Sequence, residues 1–128
     1  MTGFVDPADP AAVEAVLRQA LTVLGADALV TQLAEVPELQ VQPRRPGRLL
    51  RPASPGVVEY GDRRLVLTDG GATLDHVVGG VVLARDPIGR AALPATLAAL
   101  VCRSVTSSGA HDEVSVLLTA LRDAVEIS

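Results

Sequence analysis

Few side chains in this sequence could do chemistry, and they are scattered. The candidates are His76 and His111, the single Cys102, Tyr60, and four clustered arginines, Arg44, Arg45, Arg48 and Arg51. An imidazole can move protons or ligate a metal, a thiolate can attack a carbonyl, and guanidinium forks take phosphate or carboxylate groups.

A catalytic cysteine needs a positive, partly exposed setting and a histidine base. Cys102 instead follows the apolar run LAALV, with Arg103 as its only charged neighbour in sequence. The spacing therefore favours a helical, half-hidden thiol over a nucleophile. Metal ligands are equally unpromising. No HxH, HxxxH or CxxC spacing occurs, and His111-Asp112-Glu113 occupies adjacent helical positions that point apart. No metal and no other cofactor is implied, and no catalytic residue is assigned.

The arginines fall within eight residues, and no acidic residue occurs between Glu38 and Glu59. No aromatic side chain sits among them to stack on a base, and the chain carries a net charge of −4. An acidic protein partner is thus a better fit than nucleic acid, and a plain solvated loop is the simpler reading still. His76 lies in LDHVVGGVVLAR (74–85). A phosphate cradle would need those glycines to lead into a helix, whereas more strand follows. The expectation is that Gly79 and Gly80 lie inside one continuous strand as a bulge or close contact. If Thr68 pairs with Thr73, His76 faces Leu65 on the core side and Asp75 faces out. His76 with Tyr60 would then border the one pocket that can be named.

These residues need elements to hold them. Asp9-Pro10 opens an amphipathic helix through Val13, Val16, Leu17, Ala20, Leu21 and Leu24, and Asp27 restarts a shorter one to Val36. Residues 38–42 could add an edge strand, and about 43–56 reads as a Pro/Arg-rich loop. VVEYGDRRLVLT predicts a hairpin turning at Gly61-Asp62, with Tyr60 opposite Arg63, Glu59 opposite Arg64 and Val58 opposite Leu65. TDGGAT makes a second turn, and Asp86-Pro87 is expected to end the following strand. Helices are expected over about 94–107, closed by Gly109, and from about His111 onward, the latter burying Val114, Leu117, Leu118, Leu121 and Val125.

The order predicts an α+β fold: N-terminal helices, an antiparallel meander of three to four strands, and two C-terminal helices packed on one sheet face. Residues 1–128 fit a single domain. One cysteine, no basic leader and no apolar run of about 20 residues favour a cytoplasmic protein without membrane contact. The absence of lysine and asparagine beside abundant Ala, Val, Leu, Arg and Gly matches the coding bias of a GC-rich, actinobacterial-type genome. Apolar residues make up 48% of the chain and aromatics only 2%, so the core is aliphatic and apolar surface is expected to be left over. The leading expectation is a small non-catalytic protein-interaction module (adaptor, chaperone-like factor or regulator) acting as a homodimer. The alternatives are a small-molecule binder or enzyme with a cavity near His76, and an anion-binding regulator using the arginine loop.

Overall fold

The hairpin around Gly61-Asp62 sets the register of everything beside it. In the computed structural model, which describes residues 3–127, β2 (Val57–Tyr60) and β3 (Arg63–Thr68) pair as their alternation requires, with Tyr60, Glu59 and Val58 opposite Arg63, Arg64 and Leu65. Five antiparallel strands lie in sequence order, completed by β1 (Gln40–Gln42), β4 (Gly71–Val78) and β5 (Val81–Gly89). Residues of one parity, Val58, Leu65 and Ala72, are buried, with Leu67, Leu74 and Ile88 packed beside them. The α+β architecture therefore has a sheet with one covered face.

Four helices supply the cover. Helix α1 (Pro10–Leu24) begins where Asp9 accepts a hydrogen bond from the Ala11 amide at 3.1 Å, and its Val13, Leu17 and Ala20 are fully buried. Helix α2 (Ala26–Leu33) contributes Leu29, Val30 and Leu33. A 3-10 turn (Arg90–Ala92) leads into α3 (Leu93–Ser108), which packs Leu97, Leu100, Val101 and Val105 inward and ends at Gly109. Helix α4 (His111–Ile127) buries Val114, Leu118, Leu121 and Val125, while Leu117 is only partly covered. These side chains form one continuous aliphatic core with the sheet. The same helix fixes the N-terminal segment. Ser115 Oγ donates to the Val5 carbonyl at 2.7 Å, and Thr119 Oγ1 accepts from the Val5 amide at 2.9 Å, so both backbone groups of buried Val5 are satisfied one helical turn apart.

Four expectations are corrected. The sheet has five strands, not three to four, partly because the short β1 forms and pairs with β2. The larger cause is that Gly79-Gly80 does not sit within a strand. It is the two-residue turn of a β4–β5 hairpin, with φ of +59° and +81° and Val78 paired to Val81. Two successive positive φ angles give a turn whose twist matches the flanking strands, and only glycine adopts them freely. A bulge does occur in that hairpin, but on β5 and away from the glycines: Ala84 faces His76 and Val82 faces Val77, leaving Leu83 as the extra residue. Asp86-Pro87 does not end a strand either; β5 continues to Gly89 because it is an edge strand, where proline's missing donor can face away from the ladder. Finally, the β3–β4 turn is Asp69-Gly70 alone, so Thr68 pairs with Gly71 and His76 faces Arg63, not Leu65. The two-residue shift preserves which side each residue faces but moves His76 one row toward the sheet's end.

Candidate interaction surfaces

The predicted site residues divide into three places. Tyr60 and His76 belong to one cross-strand row, Tyr60–Arg63–His76–Ala84, so two strand spacings of about 4.8 Å separate them. Tyr60 packs against the core edge, whereas His76 is partly exposed and its Nε2 lies 2.7 Å from Asp62 Oδ2. Desolvation works against ionisation of Asp62, but the His76 contact, together with its own backbone amide and Arg63, outweighs it and holds the carboxyl below its usual range. No serine, threonine or cysteine is hydrogen-bonded to His76 among the described residues, so the pair has an orienting acid but no nucleophile to activate. Five clefts among the described residues are lined by other side chains, without His76 or Tyr60.

His111 has a similar environment at the start of α4, with its Nε2 3.1 Å from Asp6 Oδ1. The Ala8 amide and then His111 lower the Asp6 carboxyl. Asp112 Oδ1 approaches the ring's other nitrogen, Nδ1, at 3.5 Å; even so, among the described residues no group of three or more His, Cys, Asp or Glu could hold a metal ion. Cys102 is half-buried on α3, and burial, then the Asp9 and Asp6 carboxylates, push its thiol up. That is the opposite of the setting that makes a reactive thiolate.

The uncovered sheet face carries an ordered row of charge. Glu59, Arg64, Asp75 and Arg85 are successive cross-strand partners on β2, β3, β4 and β5. Arg64 Nε donates to Glu59 at 2.6 Å, and Arg85 donates to both oxygens of Asp75 at 2.9 and 3.3 Å. Asp75 faces out as its parity requires, yet only 2% of it is exposed. Its hydrogen bond and charge in turn raise the Arg85 guanidinium. Alternating signs stabilise the row from within. It leaves little unpaired charge for a ligand.

Two other places are unpartnered. Strand β5 pairs on one side only, with β4, so its other side is an open edge. At the turn end of that hairpin Val78, Val81, Val82 and Leu83 are exposed, Val81 at 59% and Leu83 at 61%. At the opposite end of the sheet, the 43–56 loop is an organised two-limbed arm. Arg45 and Ser54 exchange backbone hydrogen bonds of 2.9 and 3.0 Å, and Arg48 and Arg51 exchange bonds of 2.8 and 3.1 Å across the tip. The tip itself is Leu49 and Leu50, exposed at 99% and 94%. The arm is anchored where Arg44 meets Asp27 at 3.6 Å.

Nothing in the sequence marked Val81, Val82, Leu83, Leu49 or Leu50 as surface, and Val78, expected on the core side of its strand with Leu74, is exposed. The available signal for the hairpin itself was Gly79-Gly80 between two strand-like runs, a dipeptide that suits a two-residue hairpin turn. Comparison with protein-family models, curated proteins and solved structures returned no match for the chain. The functional reading therefore rests on these surfaces alone.

Proposed function

We propose that this protein is a non-catalytic interaction module that pairs with a second copy of itself through the β4–β5 hairpin. The observation carrying this reading is the open β5 edge with Val78, Val81, Val82 and Leu83 exposed beside it. Long apolar edges template association, and proteins that stay monomeric blunt them with charge, proline or a covering element. Here Arg85 and Pro87 blunt the middle and far end of β5 and a bulge falls at Leu83, so the apolar stretch Val81–Leu83 carries no charge or proline of its own. A two-fold contact would set that stretch of one copy against the same stretch of the other, burying four apolar side chains per copy. The polar chemistry supports the non-catalytic part: each histidine is occupied by an aspartate, and the thiol is pushed away from ionisation.

Light scattering over a micromolar concentration series tests the proposal. A dimer is expected for the native chain, and V81E/L83E should shift it to monomer while its circular dichroism and melting temperature stay native-like. A monomeric native chain at 100-fold varied concentration, or a folded V81E/L83E that remains dimeric, overturns it.

A further inference from the structure

We propose that the 43–56 arm is a docking element for an anionic lipid surface, with Leu49 and Leu50 entering the acyl boundary while Arg45, Arg48 and Arg51 take lipid phosphates. Three features of the arm are unexplained by a solvated loop. First, its tip presents two adjacent leucines almost entirely to water, although 23 aliphatic side chains among the described residues are buried in the core. Second, Arg48 and Arg51 are direct cross-strand partners, a like-charge pair that opposes the turn it flanks. Among the described residues neither they nor Arg45 has an ion-pair partner, in contrast to Arg44. An anion shared between the two guanidinium groups would remove that repulsion.

Third, the backbone next to the tip is already satisfied. The four hydrogen bonds within the Arg45–Ser54 and Arg48–Arg51 pairs use donors and acceptors that would otherwise need water. Pro46 and Pro52, between those pairs, have no amide hydrogen to desolvate. A turn whose flanking backbone is paired in this way has fewer polar groups to desolvate on entering an interface than an open loop has. Basic residues around a shallow apolar anchor are the combination by which surface-bound proteins hold anionic leaflets.

Charge favours the same arrangement. The chain has a net charge of −4, so without the arm's four arginines the remainder carries −8. An anionic surface attracts the arm and repels the body, which orients the protein tip-first. Among the described residues no helix is long and apolar enough to cross a membrane, so contact would be from the surface. Nucleic acid is disfavoured because the arm has no aromatic residue for a base to stack on. The arm joins β1 to β2, at the far side of the sheet from β5, so this proposal and the proposed dimer can fail independently.

The chain has no tryptophan, so L50W gives a single fluorescent reporter at the tip. The experiment is cosedimentation of the native chain, and fluorescence of L50W, with vesicles of pure phosphatidylcholine and of phosphatidylcholine containing 30% phosphatidylglycerol. Binding is expected only to the anionic vesicles, with a blue shift of the Trp emission and at least tenfold weakening between 50 and 300 mM salt. The L49S/L50S and R45Q/R48Q/R51Q variants should each bind at least tenfold more weakly at unchanged melting temperature, since no core residue is altered. Equal binding to both vesicle types, or undiminished binding by either folded variant, overturns the proposal. So does failure to bind vesicles, and if a fluorescein-labelled peptide of alternating Glu and Leu then bound the native arm but neither variant, the arm would belong to an acidic protein surface.

Discussion

Replacing Gly71 by alanine should be among the most damaging single changes on the sheet, because the obstacle is backbone. Gly71 starts β4, pairs with Thr68 on one side and Gly89 on the other, and holds φ at +153°. A Cβ there would lie 2.2 Å from the Ile88 carbonyl oxygen and 3.2 Å from the Arg90 amide nitrogen. Side-chain repacking cannot relieve a contact with main chain. The strands must separate by nearly 1 Å, the gap between 2.2 Å and the ~3 Å below which Cβ contacts are not seen. Losing or stretching one or two ladder hydrogen bonds costs about 0.5–1.5 kcal/mol each, and forcing alanine into this region of φ adds about 1–3 kcal/mol. Less freedom in the unfolded chain returns about 0.4–1 kcal/mol. The net loss is about 2–4 kcal/mol, or a fall of roughly 7–15 °C in Tm for a chain of this length.

Gly70, the preceding residue, is the internal control. Nothing lies within 4 Å of a Cβ built there and its φ is not positive, so G70A should stay within about 0.5 kcal/mol of the native chain. Urea unfolding of both variants measures the difference, and amide exchange locates it. The added opening in G71A should concentrate at Ile88–Arg90, where β5 leaves the sheet and Arg90 donates to the Asp69 carbonyl at 3.1 Å. Equal stability of G70A and G71A would refute the close approach of β4 to β5, and with it the placement of β5 as the open edge.

At the other end of the hairpin, G79A and G80A should each lose about 1 kcal/mol in urea unfolding, because both φ angles are positive, and G79N should lose less since asparagine tolerates that region. S115A should cost about 1–2 kcal/mol by leaving the buried Val5 carbonyl without its donor, measured the same way, with Val5 amide exchange rising in parallel. The carboxyl pKa values of Asp6 and Asp62 are lowered in the folded chain, so the stability they contribute is fully present above the ordinary carboxyl value near 3.9. It is lost as pH falls through their depressed folded values. Carboxyl-carbon NMR titration should show both transitions below those of unpaired aspartates, and H76Q and H111Q should return Asp62 and Asp6 respectively toward the ordinary value.

Much of this fold was legible because its signals are local. The Gly61-Asp62 hairpin carries its own register, and the α1, α3 and α4 stripes are read directly from apolar spacing. The largest failure arises where β4 meets β5, because the residues on both sides of the turn are apolar. When Val77-Val78 and Val81-Val82 flank Gly79-Gly80, alternation is the same for one bulged strand as for two strands folded on each other. The choice is made by the turn's twist and by pairing partners distant in sequence. Asp75 shows a second limit. Its parity correctly places it on the outer face, but its burial depends on Arg64 and Arg85 from the strands on either side, and no pattern within β4 contains them. Leu49 and Leu50 show a third. The sequence marks 43–56 as a loop, but only its paired limbs reveal that two leucines are presented at a defined tip.

The sheet order connects the two proposed surfaces. With β1 and β5 at opposite edges, the arm and the open edge are as far apart as five strands allow, about 20 Å at 4.8 Å per spacing. A β5-to-β5 contact would turn two sheets into one of ten strands and carry the arms outward, to ends roughly 40 Å apart. Both arms of such a dimer could engage one lipid surface only if its two-fold axis stood normal to that surface. The second arm would then bind at high effective concentration, adding affinity without any new contact. V81E/L83E should therefore weaken vesicle binding while leaving the Trp blue shift of bound L50W intact, because it removes the second arm and not the first. L49S/L50S should abolish binding and leave the dimer whole. If the hairpin variant instead bound vesicles as tightly as the native chain, the two arms would not act on one surface, and each surface would have to be explained by a partner of its own.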